Sequence, residues 1–371
     1  MKNIFRNTYD ILTRDLTRQE FEKMFSEDMR GMYEFYARSM KSVEGESNKL
    51  KRAMKFTWHL FLAFLLKLTP ARRIAYAIAL VFLCIALTQE RPASALYSFV
   101  IINILLAMEL ADKLITKDEL TVARDIQLSL QPNGNVTIPG YSIAAHSDVA
   151  KQVGGDYYDV MTLCDGNSIV VVGDVSGKGI SSALYVVKMQ TALQLFASET
   201  SDLKELLLKL NSHFYGQLKR NYFLTMLVIK LYPEGKAEIC RAGHPPALIY
   251  KSEKKDIHWV KPNGIAVGMT ASSNGKTSNG TTTQPDFGTS LQIQSLKVDR
   301  GDIICMFTDG LSESIGVDRR EFGLDRLARE LKNNANNSVE DIRKRIVHEL
   351  TRHREGNDIS DDTTFVLLKK V

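Results

Sequence analysis

Hydrophobic and polar positions divide the chain into three stretches of different texture. Up to about residue 55 the pattern is charged and helix-prone. Three apolar runs follow, FTWHLFLAFLLKL (56–68), IAYAIALVFLCIALT (74–88) and ALYSFVIINILLAM (95–108). Over residues 109–130 apolar side chains recur at helical spacing, at Leu110, Leu114, Leu120, Ala123, Ile126 and Leu130, with polar residues on the other face. That spacing predicts an amphipathic helix that runs out of the third apolar run and is stopped by Pro132 and Gly134. Past Ile138 short β-branched and aromatic runs take over. Strands are predicted over 141–147, 157–162, 168–172, 222–231, 237–241, 247–251, 291–298, 303–308 and 363–368, and helices over 181–198, 202–220, 324–333 and 338–354. Residues 270–290, TASSNGKTSNGTTTQPDFGTS, are polar enough to predict a surface loop.

This order suggests an α/β (α+β) domain of strands stacked as sheets with helices outside. Each apolar run is shorter than the roughly 20 residues a membrane-spanning helix wants. Ala71, Ala93 and Ala111 extend the second and third into short spans. Basic residues flank both outer ends (Lys51, Arg52, Lys55, Arg72 and Arg73 before, Lys113 and Lys117 after), and the connection has only Arg91. By the positive-inside rule this predicts a hairpin in the cell membrane, with the N-terminus and the downstream domain both cytoplasmic. A soluble four-helix bundle with unusually apolar inner helices fits the same pattern. The expected organisation is an N-terminal helical cytoplasmic region over 1–70, a transmembrane helical hairpin over 71–112, an amphipathic linker helix over 109–131 and a β-rich domain over 132–371. The apolar seam of 109–130 suits a homodimer, and packing against its own domain would use it equally well.

Composition narrows the chemistry. The chain has 371 residues, 44% hydrophobic and 25% charged, as an ordinary globular protein has. A net charge of +5, with acids and bases interleaved, gives no basic face for nucleic acid. Cys84, Cys164, Cys240 and Cys305 form no CxxC pair, and the histidines have no HExxH spacing, which argues against zinc.

The stretch VVVGDVSGKGISSALY, residues 170–185, has the strand, glycine turn and helix of a phosphate cradle. It fails as a Walker loop, because Gly173 and Gly177 enclose three residues rather than four and Gly179 stands at the Ser/Thr position. The dinucleotide fingerprint fails too, with Ser182 at its third glycine. Asp174 at the mouth would repel a bound phosphate directly, but makes sense if it grips a metal that grips the phosphate. Other acids stand in similar settings at predicted strand ends. Asp156 follows two glycines, with Asp159 three residues on; Asp309 precedes Gly310; Asp361 and Asp362 open the last strand. Oxygen-only donors suit hard cations, manganese or magnesium.

These stretches give the chain a resemblance to the SpoIIE-like branch of the metal-dependent protein serine/threonine phosphatases, the type 2C (PPM) superfamily. VGGDYYD, VVGDVSGKGISSAL, RAGHPPALIY, GIAVGM, FTDGLSES and DDTTFVLL occur in the family's order, from about Leu120 to the C-terminus. The resemblance implies a four-layer α-β-β-α sandwich of two mainly antiparallel sheets with a binuclear site for Mn2+ or Mg2+ between them. By motif position Asp156, Asp174 and the backbone carbonyl of Val175 would be ligands, with Asp309 and Asp361 completing the second metal's shell. Asp362, Asp159 and His244 would stand behind them. His244 would donate a proton to the leaving oxygen or simply set the HPP turn, and Lys178 would be solvated or touch phosphate. The implied function is hydrolysis of phosphoserine or phosphothreonine on a partner signalling protein by metal-activated water. In bacterial partner switching that partner would be a small phosphorylated anti-sigma-factor antagonist. A catalytically idle, membrane-anchored module that binds or scaffolds a phosphoprotein is the competing reading.

Overall fold

The β-branched run SIVVV becomes the interior of a sheet because both of its faces are covered. It forms β3 (Ser168–Val175), between β2 (Asp156–Thr162) and β4 (Leu224–Leu231), and Ile169, Val170, Val171 and Val172 are fully buried. The computed structural model describes residues 49–89, 91–132, 138–272, 286–355, 357 and 359–371. The charged stretch 1–48 and most of the polar 270–290 segment lie outside the described residues.

Among the described residues two five-stranded sheets face each other. One has the order β2-β3-β4-β5-β8, with β5 (Lys236–Ala242) and β8 (Ile293–Lys297). The other has the order β1-β10-β9-β6-β7, from β1 (Tyr141–Asp148), β6 (Ala247–Lys251), β7 (Asp256–Val260), β9 (Ile303–Phe307) and β10 (Thr363–Lys370). Neighbouring strands pair antiparallel throughout.

Strand alternation sorts the side chains into layers. Val170, Val172, Leu227, Ile229, Ile304, Met306, Val366 and Leu368 fill the core between the sheets. Their neighbours Ile169 and Val171 turn outward onto α4 (Ile180–Glu199) and α5 (Leu203–Phe214), meeting Val186, Leu193, Leu206 and Leu210. Cys305, Phe307 and Phe365 turn the other way, onto α8 (Leu324–Asn333) and α9 (Val339–Arg354). The result is an α-β-β-α sandwich, with the short α6 (Phe287–Ser290) and α7 (Asp309–Ser312) at its edges.

Local chemistry starts and stops the helices. Asp202 caps α5 by accepting from the Glu205 amide, and Ser338 caps α9 by accepting from the Asp341 amide. The helix predicted to run to residue 220 ends at Phe214, because Gly216 takes a left-handed φ of 76°. The strand β7 escaped the sequence reading. It is an edge strand with only Val260 buried, so it carries no alternating pattern.

The chain divides into two units, one through Thr116 and one from Lys117 to Val371. The first contains α1 (Lys49–Lys67), α2 (Pro70–Gln89) and most of α3 (Pro92–Ser129). Helices α2 and α3 are long and apolar enough to cross a membrane, and only 6% and 11% of their apolar windows are buried. Arg72 at the start of α2 bonds Glu109 and Asp112 at 2.9 and 2.7 Å, so the two helices form an antiparallel hairpin. The apolar stretch thus enclosed spans roughly 25–30 Å of helix at ~1.5 Å per residue.

Candidate metal centre

Two aspartates are brought together first by strand register. Asp156, the first residue of β2, pairs directly with Asp174, near the end of β3. Asp174 has the same parity as Val170 and Val172, so both carboxylates face the space between the sheets at the end of the inter-sheet core. The approach is close enough to require glycine before Asp156. A Cβ on Gly155 would stand 2.9 Å from the Val175 carbonyl oxygen and 3.1 Å from Asp174 Oδ1. That carbonyl therefore lies at the same rim as both acids, and the Val175 amide donates to Gly155 O at 3.1 Å.

The facing sheet supplies the other acids. Asp309 opens α7 directly after β9, and Asp361 and Asp362 stand just before β10, its neighbour. A Cβ on Gly310 would collide with the Asp362 carbonyl, which keeps the two turns in contact. Asp362 accepts from the Ala150 and Gly155 amides at 2.8 and 2.6 Å, tying its turn to the glycine loop of the opposite sheet. Thr308 Oγ1 donates to Asp156 Oδ2 at 2.7 Å, again across the sandwich. Sequence reasoning passed over Thr308, although it stands inside the FTDG motif that singled out Asp309.

Electrostatics make this an uncomfortable cluster without a cation. Burial, then Asp174, then Asp362 hold Asp156 well above the usual carboxylate range. Asp174 is pushed up to about 7 by burial and by Asp309, Asp361 and Asp362. Asp309 is raised by desolvation and Asp361, and Asp362 by desolvation. Among the described residues the one basic side chain ion-paired with any of these five acids is Lys178, on Asp361. An all-oxygen donor set carrying this much unrelieved negative charge fits hard divalent cations. As the side chains stand, no group of three or more His, Cys, Asp or Glu among the described residues converges to hold one. Thr308 holds Asp156, two amides hold Asp362, and Lys178 holds Asp361.

Of the residues expected behind the ligands, Asp159 points away from the cluster and His244 lies beneath it. Asp159 lies three residues from Asp156 and therefore on the opposite face of β2, where it accepts from Tyr157 Oη, Gln194 and the Val160 amide. The structure does not bring it to the cluster. His244 is buried beneath the site, its Nδ1 2.9 Å from Thr225 Oγ1, which in turn reaches the Asp174 carbonyl at 3.4 Å. Burial pushes His244 down to about 3, so the imidazole is neutral and closed off from solvent.

One contact came with no sequence signal. Near the end of α3, buried Gln127 grips both sides of a single peptide: its Nε2 donates to Gly154 O at 2.8 Å and its Oε1 accepts from Gly154 N at 3.1 Å. The amphipathic helix is thereby bonded to the loop that sets Asp156.

Comparisons with known proteins bear on the family and the fold. Residues 164–371, more than half of the chain, match the family described as Stage II sporulation protein E (SpoIIE). Protein IcfG of Synechocystis is 26% identical over 295 residues, covering 71% of this chain and 43% of its own length. Phosphoserine phosphatase RsbU of Bacillus subtilis is 26% identical over 261 residues, covering 69% of this chain and 71% of its own. The chain thus spans between 43% and 71% of the length of such curated relatives. Among solved structures, the SiaA-PP2C domain of Pseudomonas aeruginosa superposes with a TM-score of 0.58 at 18% identity, covering 70% of this chain and 98% of that one, a likeness of fold. With its ordered motifs, its two facing antiparallel sheets and a match over more than half its length, the chain belongs to the SpoIIE family.

Proposed function

We propose that the chain is a membrane-anchored protein serine/threonine phosphatase that removes phosphate from phosphoserine or phosphothreonine on a partner signalling protein. The observation that carries this reading is the meeting of Asp156 and Asp174 from one sheet with Asp309, Asp361 and Asp362 from the other. Asp156, Asp174, the Val175 carbonyl, Asp309 and Asp361 would hold two divalent cations, Mn2+ or Mg2+. Such cations, when bound, make a water acidic enough to attack and clamp the phosphate oxygens.

The chain's own residues do the positioning. Thr308 fixes one oxygen of Asp156, and Asp362 spends its oxygens on amides, so it braces the glycine loop rather than serving as a ligand. Neutral, buried His244 holds Thr225 against the Asp174 backbone and is a positioning residue, not a proton donor to the leaving group. Burial pushes the Cys240 and Cys305 thiols up to about 12, which disfavours either of them as a nucleophile. The name of the relative RsbU, a phosphoserine phosphatase, supports the substrate class. A small phosphorylated anti-sigma-factor antagonist is the partner we favour.

Helices α2 and α3 support anchoring of residues 71–112 in the cell membrane, with the catalytic domain in the cytoplasm. Leu110, Leu114, Val122 and Ile126 are exposed along α3 and support a homodimer through 109–130. Ile126→Asp would then lower the oligomeric state in sedimentation, and an unchanged state would remove the dimer. The function itself is tested by phosphate release from a phosphoserine protein, with and without Mn2+. Release that needs Mn2+ and falls at least about 100-fold in Asp174→Asn is the expected result. Equal release by the variant would refute it, and no release by a cation-loaded chain would favour a binding module.

A further inference from the structure

Lys178 stands between two glycines with left-handed backbone, Gly177 at φ 97° and Gly179 at φ 83°. Its backbone is thus set by the tight turn between β3 and α4, on the same sheet as Asp174. Its side chain crosses to the opposite sheet. Nζ bonds Asp361 Oδ2 at 2.7 Å and the Ser360 carbonyl at 3.2 Å. The other oxygen of Asp361 accepts from the Asp362 amide at 3.1 Å, so neither oxygen of this carboxylate is uncommitted.

We propose that Lys178 is a built-in competitor for the second divalent cation: its ammonium holds Asp361 in the cation-free site and must leave before Asp361 can ligate. The inference rests on the reading of Asp361 as a ligand. Its support is geometric. Lys178 occupies Oδ2 of Asp361, while the neighbouring Asp362 amide takes Oδ1.

The competitor is a weak one. Both partners are about half exposed, 51% and 48%, and an ion pair of that kind is worth at most about fivefold in an equilibrium constant. A divalent cation carries twice the charge and displaces it, and the long flexible lysine stem lets the ammonium swing into solvent. The pair therefore sets the concentration at which the second cation enters while keeping the mouth of the sandwich joined in its absence. Removing the lysine frees Asp361 Oδ2 for the incoming cation. The expected gain in affinity is up to about fivefold, the upper size of a half-exposed ion pair.

The test is Mn2+ titration of the full chain in detergent, following free Mn2+ by its electron paramagnetic resonance signal. Wild type, Lys178→Met, Lys178→Arg, Asp361→Asn and the Lys178→Met/Asp361→Asn double variant are compared. Lys178→Met is expected to tighten the weaker Mn2+ site about threefold to fivefold, with Lys178→Arg close to wild type. Asp361→Asn should weaken that site, and adding Lys178→Met to it should change little, because the lysine acts through this carboxylate. Equal affinities for wild type and Lys178→Met would overturn the inference while leaving the site intact. Equal tightening in the Asp361→Asn background would overturn it too, reducing Lys178 to a distant charge. A wild-type chain that binds no Mn2+ would overturn both the inference and the site.

Discussion

Asp156, Asp174 and Asp309 could be picked out together because each acid sits beside a glycine at a predicted strand end. Their supports could not. Thr308 meets Asp156 across 152 residues of sequence and Lys178 meets Asp361 across 183, distances over which local pattern carries no information. Asp159 was legible after all: a spacing of three along a strand puts two side chains on opposite faces, so it could not share a site with Asp156. His244 belongs at this scale as well. Its folded value of about 3 lies below the ordinary 6.5, because burial disfavours the charged ring. Stability from a neutral buried histidine is complete above about pH 6.5 and is lost as pH falls toward the folded value, at ~1.4 kcal/mol per unit. Between pH 6.5 and 5 the catalytic unit should therefore lose about 2 kcal/mol through this residue. Denaturant melts at the two pH values check this. A His244→Asn chain with as steep a pH dependence as wild type would contradict it.

The strands were legible where alternation was strong, as in β3, and illegible in β7, whose exposed edge position removes the signal. The amphipathic helix was also legible, but not what it does at its end. Gln127 lies on that helix among polar residues and reads as solvated, yet it is buried against the Gly154 peptide. Two bonds to one peptide make α3 a handle on the loop that carries Asp156. Removing them with Gln127→Ala should cost about 2 kcal/mol locally, at ~1 kcal/mol per bond. Amide hydrogen exchange at residues 154–156 should speed up at least about tenfold, while the β4–β5 amides stay protected. Unchanged exchange at 154–156 would show that the helix does not hold the loop.

At the scale of the whole chain, the sandwich was implied by six ordered motifs, and the two helices long and apolar enough to cross a membrane by their apolar runs. The computed fold adds the reason the motifs are scattered: each marks a turn at one end of the two sheets, and antiparallel topology returns the chain there from distant positions. A site assembled this way belongs to no single segment and depends on the two sheets meeting. The most direct test of the account is anomalous diffraction from Mn2+-soaked crystals of the full chain. It predicts two peaks, one against Asp156 and Asp174 and one against Asp174, Asp309 and Asp361. Bound manganese away from these carboxylates, or none at all in a folded chain, would contradict it.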